Sequence, residues 1–184
     1  MGLIEYEQAL EEKLLAAIAR GEKIGTREEM PTAFYELTLD FLIMQGLAEF
    51  IGGEEYVQCV RLGRTAKERR EIKHMALEEL GHGEMVNDVL HLLGVDLYDH
   101  LAVAGNSYEA IKRQPKLLRI FQFPEVLTSS YVNFRVFNFL QDTSADLQLS
   151  WIKDGPFGPY TEALERIEAE EADHVKNGRK YLQE

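Results

Sequence analysis

Two copies of the run Glu-Glu-x-x-His restrict the possible folds of this chain more than any other feature. They occur at residues 78–82 and 170–174. On an α-helix, residues three positions apart lie on the same face. Glu79 with His82, and Glu171 with His174, would therefore each present a carboxylate and an imidazole to one point. A fold that buries both helical faces against each other would bring four ligand-type side chains together.

Two further acids precede these runs at nearly equal distances. Glu49 lies 30 residues before Glu79, and Asp142 lies 29 residues before Glu171. If each half of the chain forms an antiparallel helical hairpin, such offsets place the acid at the same depth as its Glu-x-x-His pair. The two halves therefore look like versions of one hairpin.

Other candidate residues match this arrangement less well. Glu71 and His74 also form Glu-x-x-His, but Glu71 lies only 22 residues after the first acid. Asp146 precedes Glu171 by 25 residues, which is further from the offset of the first half. We interpret Cys59 as a small buried hydrophobic residue. The remaining histidines are interpreted as structural or surface residues: His74, His91 and His100.

Apolar residues recur at helical spacing through nearly all of the chain, and no Asn-Gly or Asp-Gly hairpin signal separates short alternating segments. Pro31 and Pro124 mark helix starts, whereas Gly52–Gly53 and Gly94 mark helix ends. The pattern predicts an all-α, ferritin-like four-helix bundle that forms one domain over residues 1–184, with an added N-terminal helix and short crossover helices. The predicted core helices span about 32–51, 65–93, 124–153 and 159–182; the N-terminal helix spans 3–20, and the crossover helices lie near 97–104 and 108–113.

The charges within these helices favour a metal site. An ionised carboxylate inside an apolar bundle is strongly unfavourable unless a cation accompanies it, and residues 32–60 contain no lysine or arginine. Two divalent ions would nearly neutralise four carboxylates. Carboxylate and imidazole ligands without a thiolate suit iron, or manganese, better than structural zinc. The predicted ligands of two such ions are Glu49, Glu79, His82, Asp142, Glu171 and His174.

Composition limits the other partners and the location. The formal net charge of −12 disfavours nucleic acid and anionic membranes as partners. No run of 18 apolar residues is present, so we expect no membrane span. The first 20 residues carry acids among their apolar positions and are not expected to act as a signal peptide. The single cysteine allows no intrachain disulfide, and we expect a cytoplasmic protein.

Three segments resemble one known family. They are the run Glu-Leu-Gly-His-Gly at residues 79–83, the turn Gly158-Pro159-Tyr160 before the second Glu-x-x-His, and the stretch from Phe123-Pro124 to Asp142. These segments are similar to the catalytic subunit of bacterial phenylacetyl-CoA epoxidase, and the resemblance covers roughly residues 31–178. The family's metal ligands fall on the six residues named above.

This resemblance implies a di-iron monooxygenase that uses dioxygen and electrons from a separate reductase to epoxidise an aromatic acyl-CoA. It also implies pairing with a related subunit that lacks the metal site, so we expect a heteromer or a homo-oligomer. Two alternatives remain open at this stage: a ferritin-like protein that handles iron or reduces peroxide, and a non-catalytic partner subunit. Candidate lining residues are Met44, Phe50 and Phe139; Gly81 and Gly83 are expected to allow close helix packing or to leave space beside the metals.

Overall fold

The computed structural model describes residues 2–104, 109 and 129–183. These residues form six α-helices and no β-strand, which confirms the predicted all-α, ferritin-like fold. The short helix predicted near 108–113 and the helix start predicted at Pro124 lie outside the described residues. Among the described residues, every helix is too short or too polar to span a bilayer. The helices are α1 (Leu3–Arg20), α2 (Thr32–Cys59), α3 (Ala66–Leu92), α4 (Leu97–Ala104), α5 (Tyr131–Ile152) and α6 (Gly158–Leu182).

The long helices form two antiparallel hairpins, α2 with α3 and α5 with α6. In the first hairpin, Gly46 faces Val86 and Gly53 faces Leu80, so the numbering runs in opposite directions along the two helices. In the second hairpin, Gly178 lies against Phe139. The hairpins meet where α3 packs against α6. This arrangement places the middle of every long helix in the interior of the bundle.

Helix α2 is longer than the sequence pattern predicts. The prediction ended it at Ile51, before Gly52–Gly53, but the helix continues to Cys59. Gly53 does not end the helix; it allows α2 and α3 to pack closely against each other. A Cβ atom at this position would lie 2.6 Å from Leu80 Cγ and 3.1 Å from the Ala76 carbonyl oxygen. The glycine therefore lets α3 approach the backbone of α2 closely, and the prediction of a helix end here was wrong.

Substituting Gly53 with alanine is expected to lower the free energy of unfolding by about 1–3 kcal/mol, because the new methyl group overpacks the α2–α3 contact. Gly81 is the matched control, since a Cβ there would meet nothing within 4 Å. Gly81→Ala should be neutral or stabilising by up to about 1 kcal/mol through helix propensity alone. Urea denaturation of the two variants measures the difference. Equal effects in both variants would contradict this account of Gly53.

Apolar side chains form two clusters at different heights along the bundle. One cluster includes Leu42 and Leu47 of α2, Leu90 of α3 and Leu164 of α6. The other includes Tyr56 and Cys59 of α2, Ile72, Met75 and Ala76 of α3 and Phe134 of α5. On α2, α3 and α6, the predicted ligand positions are close in sequence to residues of these two clusters. The bundle therefore holds a charged layer next to these two apolar clusters.

Candidate metal centre

The structure brings all six sequence-predicted ligand residues together in this charged layer. Every one is buried, from 0% exposed for His82 to 7% exposed for Glu49. Their ligand-type atoms form two groups, and within each group the atoms lie within 4.8 Å of one another. Glu79 and Glu171 belong to both groups. Glu49 and His82 complete the first group, and Asp142 and His174 complete the second.

The two histidines direct their Nδ1 atoms towards the shared carboxylates. His82 Nδ1 lies 3.4 Å from Glu171 Oε1 and 3.8 Å from Glu49 Oε2. His174 Nδ1 lies 3.3 Å from Glu79 Oε1 and 3.7 Å from Glu171 Oε2. Each imidazole therefore faces a carboxylate of the other hairpin as well as its own. The geometry forms two adjacent ligand sets with two acids in common.

Two further carboxylates bind the outward Nε2 atoms of the histidines. Glu170 Oε2 lies 3.0 Å from His82 Nε2, and Glu78 Oε2 lies 3.0 Å from His174 Nε2. Each acid directly precedes a shared glutamate and contacts the histidine of the other hairpin. Such an outer carboxylate fixes the orientation of a ligating imidazole and leaves its other nitrogen free for a metal. Glu78 and Glu170 are not among the predicted site residues, although each directly precedes the glutamate of a Glu-x-x-His run.

Asp142 has two polar partners that are also absent from the predicted site residues. The Tyr56 hydroxyl donates to Asp142 Oδ1 at 2.9 Å. Asn138 Nδ2 donates to Asp142 Oδ2 and also to the Tyr56 hydroxyl, the latter at 3.1 Å. Tyr56 and Asn138 are both fully buried. Their sequence signal was helical phase, since Asn138 lies four residues before Asp142 and Tyr56 lies seven residues after Glu49.

Buried atoms without partners test whether a metal fits this cluster. His82 Nδ1, His174 Nδ1 and Glu171 Oε2 are buried and have no hydrogen-bond partner among the described residues. A buried polar atom left unpaired costs about 1–3 kcal/mol, and more where the group is charged. All three atoms belong to the two groups described above and face their interior. Two imidazole nitrogens and several carboxylate oxygens are suitable donors for divalent iron or manganese, so the residues present fit the predicted group.

The charge balance gives a second test. Within residues 2–104, 109 and 129–183, no lysine or arginine pairs with any of the four carboxylates. Burial, together with the charge of Glu171, raises the pKa of Glu79 and of Asp142 well above their ordinary values. Burial alone would lower the pKa of each histidine. The nearby carboxylates outweigh it and raise the pKa to about 11 for His82 and about 12 for His174. Without metal the cluster therefore retains protons as its cations, and bound metal ions would displace them.

The residues set aside in the sequence analysis lie outside both groups. Glu71 accepts a hydrogen bond from the Tyr181 hydroxyl, His74 lies 3.4 Å from Glu78, and His91 lies 3.5 Å from Asp96. Cys59 is buried, which raises its thiol pKa to about 12 and leaves it unreactive at neutral pH. The side chain of Asp146 lies outside the described residues.

The glycines and apolar residues predicted around the centre have different surroundings. A Cβ atom on Gly83 would lie 2.7 Å from the Phe50 ring, which shows close packing of α2 and α3 at this level. Gly81 has open space around it instead. Phe50 is buried, whereas Met44 and Phe139 are half-buried. Their use as a lining for an apolar substrate stays a prediction.

Glu55 is a buried acid outside the cluster that makes stability depend on pH. Burial, with a smaller contribution from Glu54, raises its pKa from an ordinary 4.5 to about 7. The folded chain therefore holds this proton more strongly than the unfolded chain does. The associated stability is fully present below pH 4.5 and is lost as the pH rises through about 7.

Glu55→Gln is therefore expected to stabilise the protein at pH 8, by at most about 3 kcal/mol, and to have little effect at pH 4.5. Chemical denaturation at both pH values measures this difference. Glu162→Gln, at an exposed position of α6, is the control and should show no comparable pH dependence. A gain in stability for Glu55→Gln that is the same at both pH values would contradict the assignment.

A comparison with protein families places residues 13–184 in a match to the family described as phenylacetic acid catabolic protein. The matched span includes α2 to α6 and all six residues of the two ligand groups. A comparison with curated proteins finds no match.

Proposed function

We propose, from the premise that this chain belongs to the phenylacetic acid catabolic protein family, that it is a di-iron oxidoreductase subunit of the catalytic type. It would use dioxygen to oxidise an aromatic acyl-CoA or a similar apolar substrate. The single observation that carries the proposal is the buried cluster of four carboxylates and two histidines, with its unpaired inward atoms. Family membership supports the reaction class, and the cluster supports an intact metal centre.

The six side chains would hold two iron ions, which supply the redox chemistry of dioxygen activation when bound. Glu79 and Glu171 are positioned to serve both ions, because each belongs to both ligand groups. Glu78 and Glu170 hold the imidazoles in place from outside. The apolar clusters along the bundle keep water from the interior, which protects reactive species from side reactions.

The alternative of a non-catalytic partner subunit conflicts with this cluster. A subunit that binds no metal would have to keep these four buried acids neutralised by protons alone, which is costly in stability. Iron handling or peroxide reduction would use the same ligands, and family membership favours the oxygenase over both. A separate reductase and a related subunit are part of the proposal, as is assembly into a heteromer or homo-oligomer.

The proposal is tested by loading the purified chain with ferrous iron without oxygen and measuring the iron content. We expect two iron ions per chain. Phenylacetyl-CoA, a chemical reductant and dioxygen are then added, and the acyl-CoA is analysed by mass spectrometry for a gain of one oxygen atom. Free CoA replaces the substrate in the control reaction.

Three outcomes would count against the proposal. A chain that retains no iron would exclude the metal centre. Oxygen consumption that is the same with phenylacetyl-CoA and with free CoA would favour iron handling. Consumption of hydrogen peroxide without any oxidised acyl-CoA would favour a peroxide-reducing protein.

A further inference from the structure

We propose that the two metal positions are unequal: the position of Asp142 and His174 binds its ion first and tightly, and the position of Glu49 and His82 is the exchangeable one. This inference rests on the proposed function, because it assumes that the cluster binds two ions. It concerns the hydrogen bonds that hold the ligand side chains in place, which differ between the two halves of the chain.

The ligands and their outer acids repeat in both halves, but the hydrogen bonds to the terminal carboxylates do not. Both oxygens of Asp142 accept hydrogen bonds, one from Tyr56 and one from Asn138. Within the described part of the chain, Glu49 accepts one side-chain hydrogen bond, from Gln45 Nε2. Gln45 is half-buried, whereas Tyr56 and Asn138 are fully buried. The Asp142 carboxylate is therefore held more firmly than the Glu49 carboxylate.

Tyr56 is itself held in place from two sides. Asn138 donates to its hydroxyl at 3.1 Å, and its ring packs edge-on against Phe134 with the ring centroids 5.6 Å apart. Asn138 therefore contacts both the phenol and the carboxylate, which closes a three-residue network. A closed network between fully buried side chains has fewer alternative arrangements than one bond from a half-buried glutamine.

Pre-arrangement favours metal binding at the Asp142 position. A carboxylate already fixed in one orientation loses less conformational freedom when it binds an ion. Aspartate also has one rotatable side-chain bond fewer than glutamate, so less freedom remains to be lost. Both effects act on Asp142 more than on Glu49.

The surroundings of Glu49 fit a position that exchanges ligands. The Tyr160 hydroxyl is buried and has no hydrogen-bond partner in the described part of the chain. Its ring packs edge-on against Phe41, with the ring centroids 5.9 Å apart, and Phe41 lies on the same helix as Glu49. On the other side, the Tyr56 phenol is already bonded to Asp142. The Tyr160 hydroxyl is therefore a spare donor for a further oxygen-bearing ligand beside the helix that carries Glu49.

The inference is tested by titrating the metal-free full chain with Mn²⁺ in a calorimeter. We expect two dissociation constants for the wild-type chain. Tyr56→Phe should increase the smaller dissociation constant by about 10–100-fold, the usual cost of losing a group that supports a metal ligand. The larger dissociation constant should not change. Gln45→Leu should increase only the larger dissociation constant. Tyr35→Phe is the control, because its hydroxyl bonds the Leu93 carbonyl oxygen at 3.0 Å, away from the cluster.

Ligand variants assign the ions independently of how well Tyr56→Phe folds. Glu49→Gln should retain the tight Mn²⁺ ion, and Asp142→Asn should retain only the weak one. A single dissociation constant for both ions of the wild-type chain, equal weakening of both constants by Tyr56→Phe, or the reverse assignment from the ligand variants would overturn the inference. A wild-type chain that binds no Mn²⁺ or Fe²⁺ at all would instead overturn the proposed function.

Discussion

Replacing Glu171 with glutamine is expected to abolish stable binding of both metal ions. Glu171 belongs to both ligand groups, with Oε1 lying 3.4 Å from His82 Nδ1 and Oε2 lying 3.7 Å from His174 Nδ1. Glutamine keeps the volume of the side chain but removes its charge and one of the two oxygen ligands. Each ion would therefore lose a ligand, and the cluster would lose a quarter of its negative charge.

The effect is measured as stabilisation by added metal. An ion present at 1,000 times its dissociation constant stabilises a folded protein by about 4 kcal/mol. The wild-type chain should therefore melt at a clearly higher temperature with Mn²⁺ than without it, and Glu171→Gln should show no such increase. Glu162→Gln, at an exposed position of the same helix, should behave as the wild type does. Two ions bound per chain in Glu171→Gln would contradict the shared role.

Replacing both outer acids, Glu78 and Glu170, with glutamine is expected to lower the affinity for each metal ion by about 10–100-fold. Each carboxylate lies 3.0 Å from the Nε2 atom of the histidine on the opposite hairpin. Without them, the imidazoles lose the contacts that fix their orientation towards the centre. Each single variant should lower the affinity for one ion only. Glu170→Gln should affect the ion at the His82 position, and Glu78→Gln the ion at the His174 position.

Calorimetric titration with Mn²⁺ again provides the measurement. Glu168→Gln is the control, because Glu168 forms a partly exposed ion pair with Lys153 at 3.2 Å and such pairs contribute about 0–1 kcal/mol. Its metal affinities should equal those of the wild-type chain. If the double variant also keeps wild-type affinities, the outer acids are surface charges without a supporting role.

Local helix geometry explains why the six positions could be predicted from the sequence. A spacing of three residues puts Glu79 and His82 on one face of a helix whatever surrounds it. The rise per residue is also constant, so nearly equal offsets from Glu49 and Asp142 place the acids at the depth of their partners. The match to the phenylacetic acid catabolic protein family confirms the predicted resemblance. Metal binding by the six residues stays a prediction that the titrations above test.

Helix boundaries and supporting contacts were less predictable, because they depend on residues far away in the sequence. Gly52–Gly53 has the local signature of a helix end, yet Gly53 continues the helix because Leu80 packs against its backbone. Tyr56 reaches Asp142 across the bundle through a hydrogen bond between residues 86 positions apart. Local propensity does not report which side chain of one hairpin faces which side chain of the other.

The amino-acid sequence by itself determined the helical hairpins, the identity of the ligand-type residues and their common depth, because all three follow from periodicity along single helices. Only the tertiary structure decided how the hairpins meet side by side. Because of that lateral packing, Glu78 and Glu170 each contact the histidine of the opposite hairpin. The same packing lets Tyr56 and Asn138 donate hydrogen bonds to Asp142. The physical reason is that rotation and separation of packed helices are set by side-chain volumes at their contacts, such as the absent side chain of Gly53 beside Leu80.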